Sequence, residues 1–239
     1  MMLANIGDFL FRFRNLIFPL CLPLALLPGP PLFGNVLVAA AMGFLIAATG
    51  EAVRAGTIGL QYIVRGGKDR RVYAKDLVTG GLYAHTRNPM YVGNMLILIG
   101  LAVASNSWTC VAVAIPFYAF VCAAIVAAEE RYLQGRFGAG FDDYCRDVPR
   151  WLPRLQGIRA TLAEHSFDRQ RVVLKEYGTP VGWTLAWGLL VFWNLARSAG
   201  GTEAHRTAVV VVAGIMAAIL AFWAVARIAK KSRHRRKAA

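Results

Sequence analysis

The sequence predicts an all-α protein, a polytopic transmembrane helical bundle of about six spans. Three observations predict it. The 239 residues are 57% hydrophobic with a mean hydropathy of +0.47, too apolar for a soluble domain of this size. Six apolar runs approach the roughly 20 residues that cross about 30 Å of hydrocarbon. The cations are distributed asymmetrically between alternate loops, as the positive-inside rule requires. Helices follow because backbone groups in lipid must be satisfied within their own segment.

The first run, Leu16–Phe33, holds Pro19, Pro23 and Pro28 and leads into Pro30 and Pro31, so it is expected to be bent or re-entrant. No small-residue cleavage site follows it, which argues against a removed signal peptide. Val36–Gly50 extends through Glu51–Val64, and Met90–Ser105 extends to Pro89 and Trp108. Trp108–Ala128, Pro180–Ala196 and Ala208–Ile228 complete the set. Met90–Ser105 and Trp108–Ala128 form a hairpin turning at "SNSW", which brings Pro89–Tyr91 beside Glu129.

The net charge is +14. Of the 27 Lys and Arg, two precede the first run, seven lie between Arg54 and Arg87, nine between Arg131 and Lys175, and seven from Arg227 onward. Only Arg197 and Arg206 fall on the far side. Both termini are therefore expected in the cytoplasm, and in the inner membrane if the source is bacterial. The tail "RIAKKSRHRRKAA" reads as a topology anchor that attracts anionic headgroups, with no nucleic-acid partner. Cys21, Cys110, Cys122 and Cys145 form no C-x-x-C pair, and the four histidines are scattered, so no metal site is indicated. There is no G-x-G-x-x-G or P-loop.

Two cytoplasmic segments carry unusual chemistry. Arg65–Asn88 is punctuated by Gly66-Gly67 and Gly80-Gly81 and reads as loop, ending at Pro89, a favoured helix start. The second is "EERYLQGRFGAGFDDYCRDVPRWLPR", Glu129–Arg154. Glu129 and Glu130 end the fourth run, where a carboxylate at the hydrocarbon boundary is costly and usually functional; pairing with Arg131 or Arg136 is the plain alternative. Tyr83, His85, Arg87 and Tyr91 surround the Pro89 helix start, whose free N–H groups suit an anion, although Tyr91 also fits an interfacial anchor. Glu51 and Arg54 read as a structural i, i+3 pair. Asp142, Asp143 and Asp147 read as solvated loop charges.

"LVTGGLYAHTRNPMYVGN" followed by "EERYL…RFG…Y…VPR.LP" resembles the membrane-integral methyltransferases related to isoprenylcysteine carboxyl methyltransferase and the phospholipid N-methyltransferases. The resemblance covers about Lys75–Pro153. It implies S-adenosyl-L-methionine as cofactor, bound without a Rossmann fold at the cytoplasmic end of the hairpin. It would be held by Lys75, Asp76, Leu77, Val78, Tyr83, Asn88, Pro89, Met90, Tyr91 and Glu129. Glu129 would complement the ammonium group, and the rings of Tyr83 and Tyr91 would pack on adenine or the sulfonium. Glu130 or Tyr144 would assist an amine acceptor, and Arg150 approaches from the C-terminal loop. The family commonly has His before the proline where this chain has Asn88, which cannot titrate near neutral pH. In the isoprenylcysteine branch a substrate-binding Arg stands where this chain has Ile125, which argues against prenylcysteine methyl esterification.

The expected reaction is in-line methyl transfer to a lipophilic or membrane-embedded acceptor entering from the lipid. The organisation read from the chain is residues 1–64 as N-terminal spans, 65–155 as the cofactor-binding core, and 156–239 as a polar connector, two spans and a basic tail. Two rivals remain at this point. One is an NADPH-dependent enzyme resembling the sterol C14 and C24 reductases, which share a pattern like "DDYCRDVPRWLP". The other is a non-catalytic membrane scaffold. Neither the acceptor nor the oligomeric state is legible in the sequence.

Overall fold

A computed structural model describes residues 2–20, 22–61, 72–198 and 200–238. Ten α-helices carry the described chain, with no strand among those residues: α1 Met2–Leu20, α2 Val36–Leu60, α3 Pro89–Ala104, α4 Trp108–Phe137, α5 Ala139–Asp147, α6 Ile158–Glu164, α7 Arg169–Glu176, α8 Gly178–Arg197, α9 Gly201–Ala204 and α10 Arg206–Ala238. Three of them, α2, α4 and α10 up to Ser232, are long and apolar enough to cross a membrane. α3 is shorter, 16 residues or about 24 Å at 1.5 Å per residue. The expected helical membrane bundle is therefore observed, with fewer full-length spans than the six apolar runs suggested.

The first run is where the expectation needs correcting. α1 starts at Met2, well before Leu16, so Arg12 and Arg14 lie within a helix rather than ahead of a span. After Leu20 the chain passes through a 3-10 turn at Leu22–Leu26 and then runs irregularly to Asn35. Prolines 23, 28, 30 and 31 remove the amide donors a continued helix needs. That irregular strap is tied to the α3–α4 turn: Trp108 N donates to Pro30 O at 2.9 Å, Ser107 Oγ to Leu27 O at 2.9 Å, and Phe33 N to Asn106 Oδ1 at 2.9 Å.

α2 and α3 lie in unusually close contact because glycines face each other twice. A Cβ on Gly43 would come within 2.5 Å of Gly100 O, and one on Gly50 within 2.5 Å of Gly93 O. Small residues permit this backbone approach, a packing mode favoured between helices in lipid. α1 runs antiparallel along α4: Gly7 abuts Ala124 and Ala128, Phe11 packs on Val121 and Ile125, and Arg131 binds Asn5 and Asp8. α8 closes the other side through Trp187, whose Nε1 donates to Ala40 O at 2.9 Å.

This topology gathers the ends of α2 and α4, the starts of α1, α3 and α8, and helices α5–α7 at one end of the bundle. The predicted "solvated loop" acids Asp142, Asp143 and Asp147 are exposed, but they sit on α5. α4 continues two turns past Ala128 to Phe137, so Glu129 and Glu130, expected at its end, lie within the helix. Residues 62–71, which include the beginning of the predicted loop, lie outside the described residues.

Candidate functional site

The two unusual segments meet, residue by residue, at that end. Arg87 N donates to Pro149 O at 2.9 Å, and Arg154 N donates to His85 O at 2.9 Å. Between these two bonds, Thr86 Oγ1 donates to the carbonyls of Arg150 and Trp151 at 3.2 and 3.1 Å, and Asn88 Nδ2 to Arg150 O at 3.0 Å. His85 is 3% exposed. Its Nδ1 donates to Arg154 O at 2.7 Å, so the neutral ring accepts from Thr161 Oγ1 at Nε2, 2.9 Å away. These bonds fix the approach to α3 against the segment that follows α5. The apolar spacing alone could not show that the pairing runs through backbone carbonyls.

Tyr144 adds a second latch. Its hydroxyl donates to Tyr83 O at 2.7 Å, and both residues are buried. Burial raises the Tyr144 pKa well above the ordinary phenol value, so the proton stays in place to make that bond. Phe141, Tyr144 and Val148 form a small core against which Leu77 packs. Tyr144, expected to assist an acceptor, thus has its hydroxyl engaged in holding the loop.

The two candidate carboxylates, Glu129 and Glu130, lie on adjacent positions of α4 and have different partners. Glu129 accepts a 2.9 Å bond from the Tyr91 hydroxyl on α3. Glu130 is held by Arg150, with Nε and Nη2 at 3.0 and 2.5 Å, and by Arg87 at 3.4 Å. The fork-to-carboxylate arrangement is the strong geometry for such a pair. Arg131, the partner the plain reading offered to these glutamates, binds Asn5 and Asp8 of α1 instead.

One buried donor at this end lacks a protein acceptor, and the start of α3 lacks a side-chain cap. Among the described residues, Arg87 Nε is buried without a hydrogen-bond partner. Asn88 begins α3 without a side-chain cap, and Pro89 follows it at the first helical position. Pro89 has no N–H and Val92 N donates to Asn88 O, so the Met90 and Tyr91 amides are the ones at this helix start that can face an anion.

The structure thus brings together Tyr83, Asn88, Pro89, Tyr91, Glu129, Glu130, Tyr144 and Arg150, with Met90 half-buried beside them. Lys75 and Asp76 are exposed, and Lys75 O accepts from Arg136 Nη2 at 3.3 Å, two turns along α4 from Glu129. Leu77 and Val78 are half-buried. Ile125 is fully buried beside Phe11 and Tyr91.

With that geometry in hand, comparison with known proteins is informative. Residues 31–140 match the phospholipid methyltransferase family. The matched segment is thus similar to membrane-integral phospholipid methyltransferases. It runs from the strap before α2 to the start of α5, and so contains α2, α3, α4 and both glutamates. Two relatives are similar over part of their length. Nickel-cobalt-cadmium resistance protein NccN of Alcaligenes xylosoxydans xylosoxydans is 35% identical over 85 residues, 36% of this chain and 39% of that protein. Cobalt-zinc-cadmium resistance protein CzcN of Cupriavidus metallidurans is 35% identical over 97 residues, 39% of this chain and 44% of that protein. The chain thus spans about two fifths of the length of the curated relatives it matches. No solved structure matches it significantly.

Sequence reasoning missed two contributors. Arg14, on α1, stacks on the Phe11 ring with Cζ 3.9 Å from its centroid, and Phe11 in turn packs on Val121 and Ile125 of α4 with Tyr91 beside them. Its spacing from Phe11 was visible, but the prolines moved the expected helix past it. Arg54, read as the partner of Glu51, binds Glu176 instead, while Glu51 accepts from Trp183 Nε1 at 3.1 Å.

Proposed function

We propose that the protein is an integral membrane methyltransferase that uses S-adenosylmethionine and a lipophilic acceptor. The observation that supports it most is the Tyr91–Glu129 pair set beside the uncapped start of α3. A carboxylate and the Met90 and Tyr91 amides at the start of α3, with the unpartnered Arg87 Nε nearby, complement the ammonium and carboxylate of an amino-acid head. Glu129 would receive the ammonium, the α3 amides and Arg87 the carboxylate, and Tyr83 and Tyr91 would flank the remainder. When bound, S-adenosylmethionine supplies a methyl carbon on a sulfonium, whose S–C electron pair stays on sulfur as the acceptor's lone pair forms the new bond.

The chain's own task is alignment and exclusion of water. The carbonyl clamp from residues 85–88 to 149–154 fixes the approach to α3, and the Glu130–Arg150 pair closes its outer side. In this reading both termini and the site face the cytoplasm, and the basic end of α10 lies on anionic headgroups. The acceptor reaches the site from the hydrocarbon.

Calorimetry on detergent-purified protein tests the reading, with NADPH as control ligand. Wild type is expected to bind S-adenosylmethionine and not NADPH. Glu129→Ala, folded by thermal melt, is expected to lose roughly 10- to 100-fold in affinity, the worth of one charge-assisted hydrogen bond. Binding of NADPH alone would select the reductase.

A further inference from the structure

Past α5 the chain runs "VPRWLPRL", Val148–Leu155, and has no helix until α6. Leu152 and Leu155 within it are 83% and 72% exposed. An irregular backbone in water needs no protein partners, because water supplies them. Here the protein supplies them. The carbonyls of Pro149, Arg150, Trp151 and Arg154 accept hydrogen bonds from residues 85–88, and Leu155 O accepts from Ile158 N. Arg154 N donates to His85 O, while Pro149 and Pro153 have no N–H to satisfy. A chain needs such provision where water is scarce.

Trp151 gives the depth. It packs on the Tyr118–Cys122 cluster, beside Met95 and Leu98 of α3. Cys122 lies near the middle of α4, a helix long and apolar enough to cross a membrane, and about 10 Å along it from Glu129. Arg150, one residue earlier, reaches Glu130 instead. The segment therefore descends the flank of the α3–α4 hairpin, from the level of the carboxylates toward hydrocarbon. Its charges have one sign. Arg150, Arg154 and Arg159 are exposed, and no acidic residue stands between Asp147 and Glu164. Glu130 takes Arg150, which leaves Arg154 and Arg159 around the exposed leucines. Arg154 Nη1 donates to Asp147 O at 3.2 Å, which uses one of its several donors.

We infer that residues 151–155 form a wedge in the membrane interface. Leu152 and Leu155 enter the acyl region of the leaflet on the side of the site, and Arg154 and Arg159 bind the phosphates of anionic lipids. Leucines flanked by arginines fit the boundary between acyl chains and negative headgroups. A soluble partner would have to reach the flank of a membrane span to cover the same residues. Neither a cofactor nor methyl transfer enters this contact, so it stands or falls apart from the proposed activity.

The test uses the full-length protein in nanodiscs of phosphatidylcholine with roughly a third phosphatidylglycerol. Benzoylphenylalanine, which inserts into nearby C–H bonds on irradiation, replaces Leu152 or Leu155. In a control it replaces Asp143, an exposed residue of α5. Mass spectrometry reads the adducts. Lipid adducts are expected at positions 152 and 155 and not at 143. Phosphatidylglycerol is expected among them at least about twofold above its share of the disc. Arg154→Gln combined with Arg159→Gln is expected to return that ratio to the composition of the disc. No lipid adduct at either leucine, or an adduct to a second protein chain there, would overturn the wedge. Phosphatidylglycerol enrichment that persists without the two arginines would place the anionic lipid on other cations, such as the α10 tail, and overturn their role.

Discussion

Tyr91 and Glu129 sit 38 positions apart in sequence and share one hydrogen bond. Tyr91→Phe removes the donor while keeping the ring that packs on Val121, Ile125 and Cys122. Its expected effect is a loss of about 3- to 10-fold in S-adenosylmethionine affinity with little change in melting temperature, since one neutral donor to a carboxylate is worth roughly 1 kcal/mol or a little more. Tyr144→Phe is expected to do the reverse. It orphans the buried Tyr83 carbonyl and should lower unfolding stability by about 1–3 kcal/mol, with transfer reduced only as far as the folded fraction falls. Paired melts and calorimetry on the two variants separate these roles. An equal loss of binding in both would show that Tyr144 touches the ligand. These residues were legible because Tyr, Asn and Glu at a helix entrance are chemically conspicuous. Arg14 was not, because prolines in the following segment moved the expected helix away from it.

At the scale of an element, α3 is positioned by two glycine pairs. Gly43 and Gly50 are seven residues apart on α2 and meet Gly100 and Gly93, also seven apart on α3. Two turns of helix separate each pair, so the contacts repeat on one face. Gly50→Val would put a branched side chain against Gly93 O and the Ile97 amide. No flexible group there can yield. The expected result is a lateral shift of α3 and a drop in melting temperature of several degrees. S-adenosylmethionine binding should fall with it, because Gly93 is two residues beyond Tyr91. Gly182→Val on α8, where nothing lies within 4 Å of a new Cβ, is the matched control and should change neither. The existence of α2, α3, α8 and α10, and close bounds for α3 and α8, were legible because long apolar runs are local signals, whereas α10 runs ten residues beyond the expected Ile228 through the basic tail. The continuation of α4 past Glu129 was obscured because charged residues there read as a loop, although Glu, Arg, Leu and Gln are good helix formers.

Across the whole molecule, one buried cluster joins α2 and α3 to the C-terminal helices. Arg54 on α2 binds Glu176 at the end of α7 and Asn94 on α3, and its Nη2 donates to Thr179 on α8 at 3.2 Å. The Arg54 and Glu176 side chains are 8% and 2% exposed. Nothing local in the sequence pairs residues 122 positions apart; Glu51, one turn from Arg54, was the nearer guess. Asp168 and Phe167 reinforce the junction, Asp168 N donating to Gly59 O at 3.0 Å while the Phe167 ring lies over Gly59. Desolvation makes such a pair weak as a net source of stability, yet removing one partner leaves a buried charge. Arg54→Met or Glu176→Gln alone is thus expected to cost about 3–5 kcal/mol, whereas Arg54→Met combined with Glu176→Met should recover most of that loss. A double-mutant cycle read by denaturant unfolding measures the coupling, and additive single costs would remove the cluster from the account. Cofactor binding in the double variant then asks a separate question. Arg54 reaches α3 at Asn94, one turn along the helix from Tyr91. If S-adenosylmethionine affinity survives in the double variant, α7, α8 and α10 serve to brace the core. If it falls while the fold is restored, the Asn94 contact sets the rotation of α3 and thereby the aim of Tyr91.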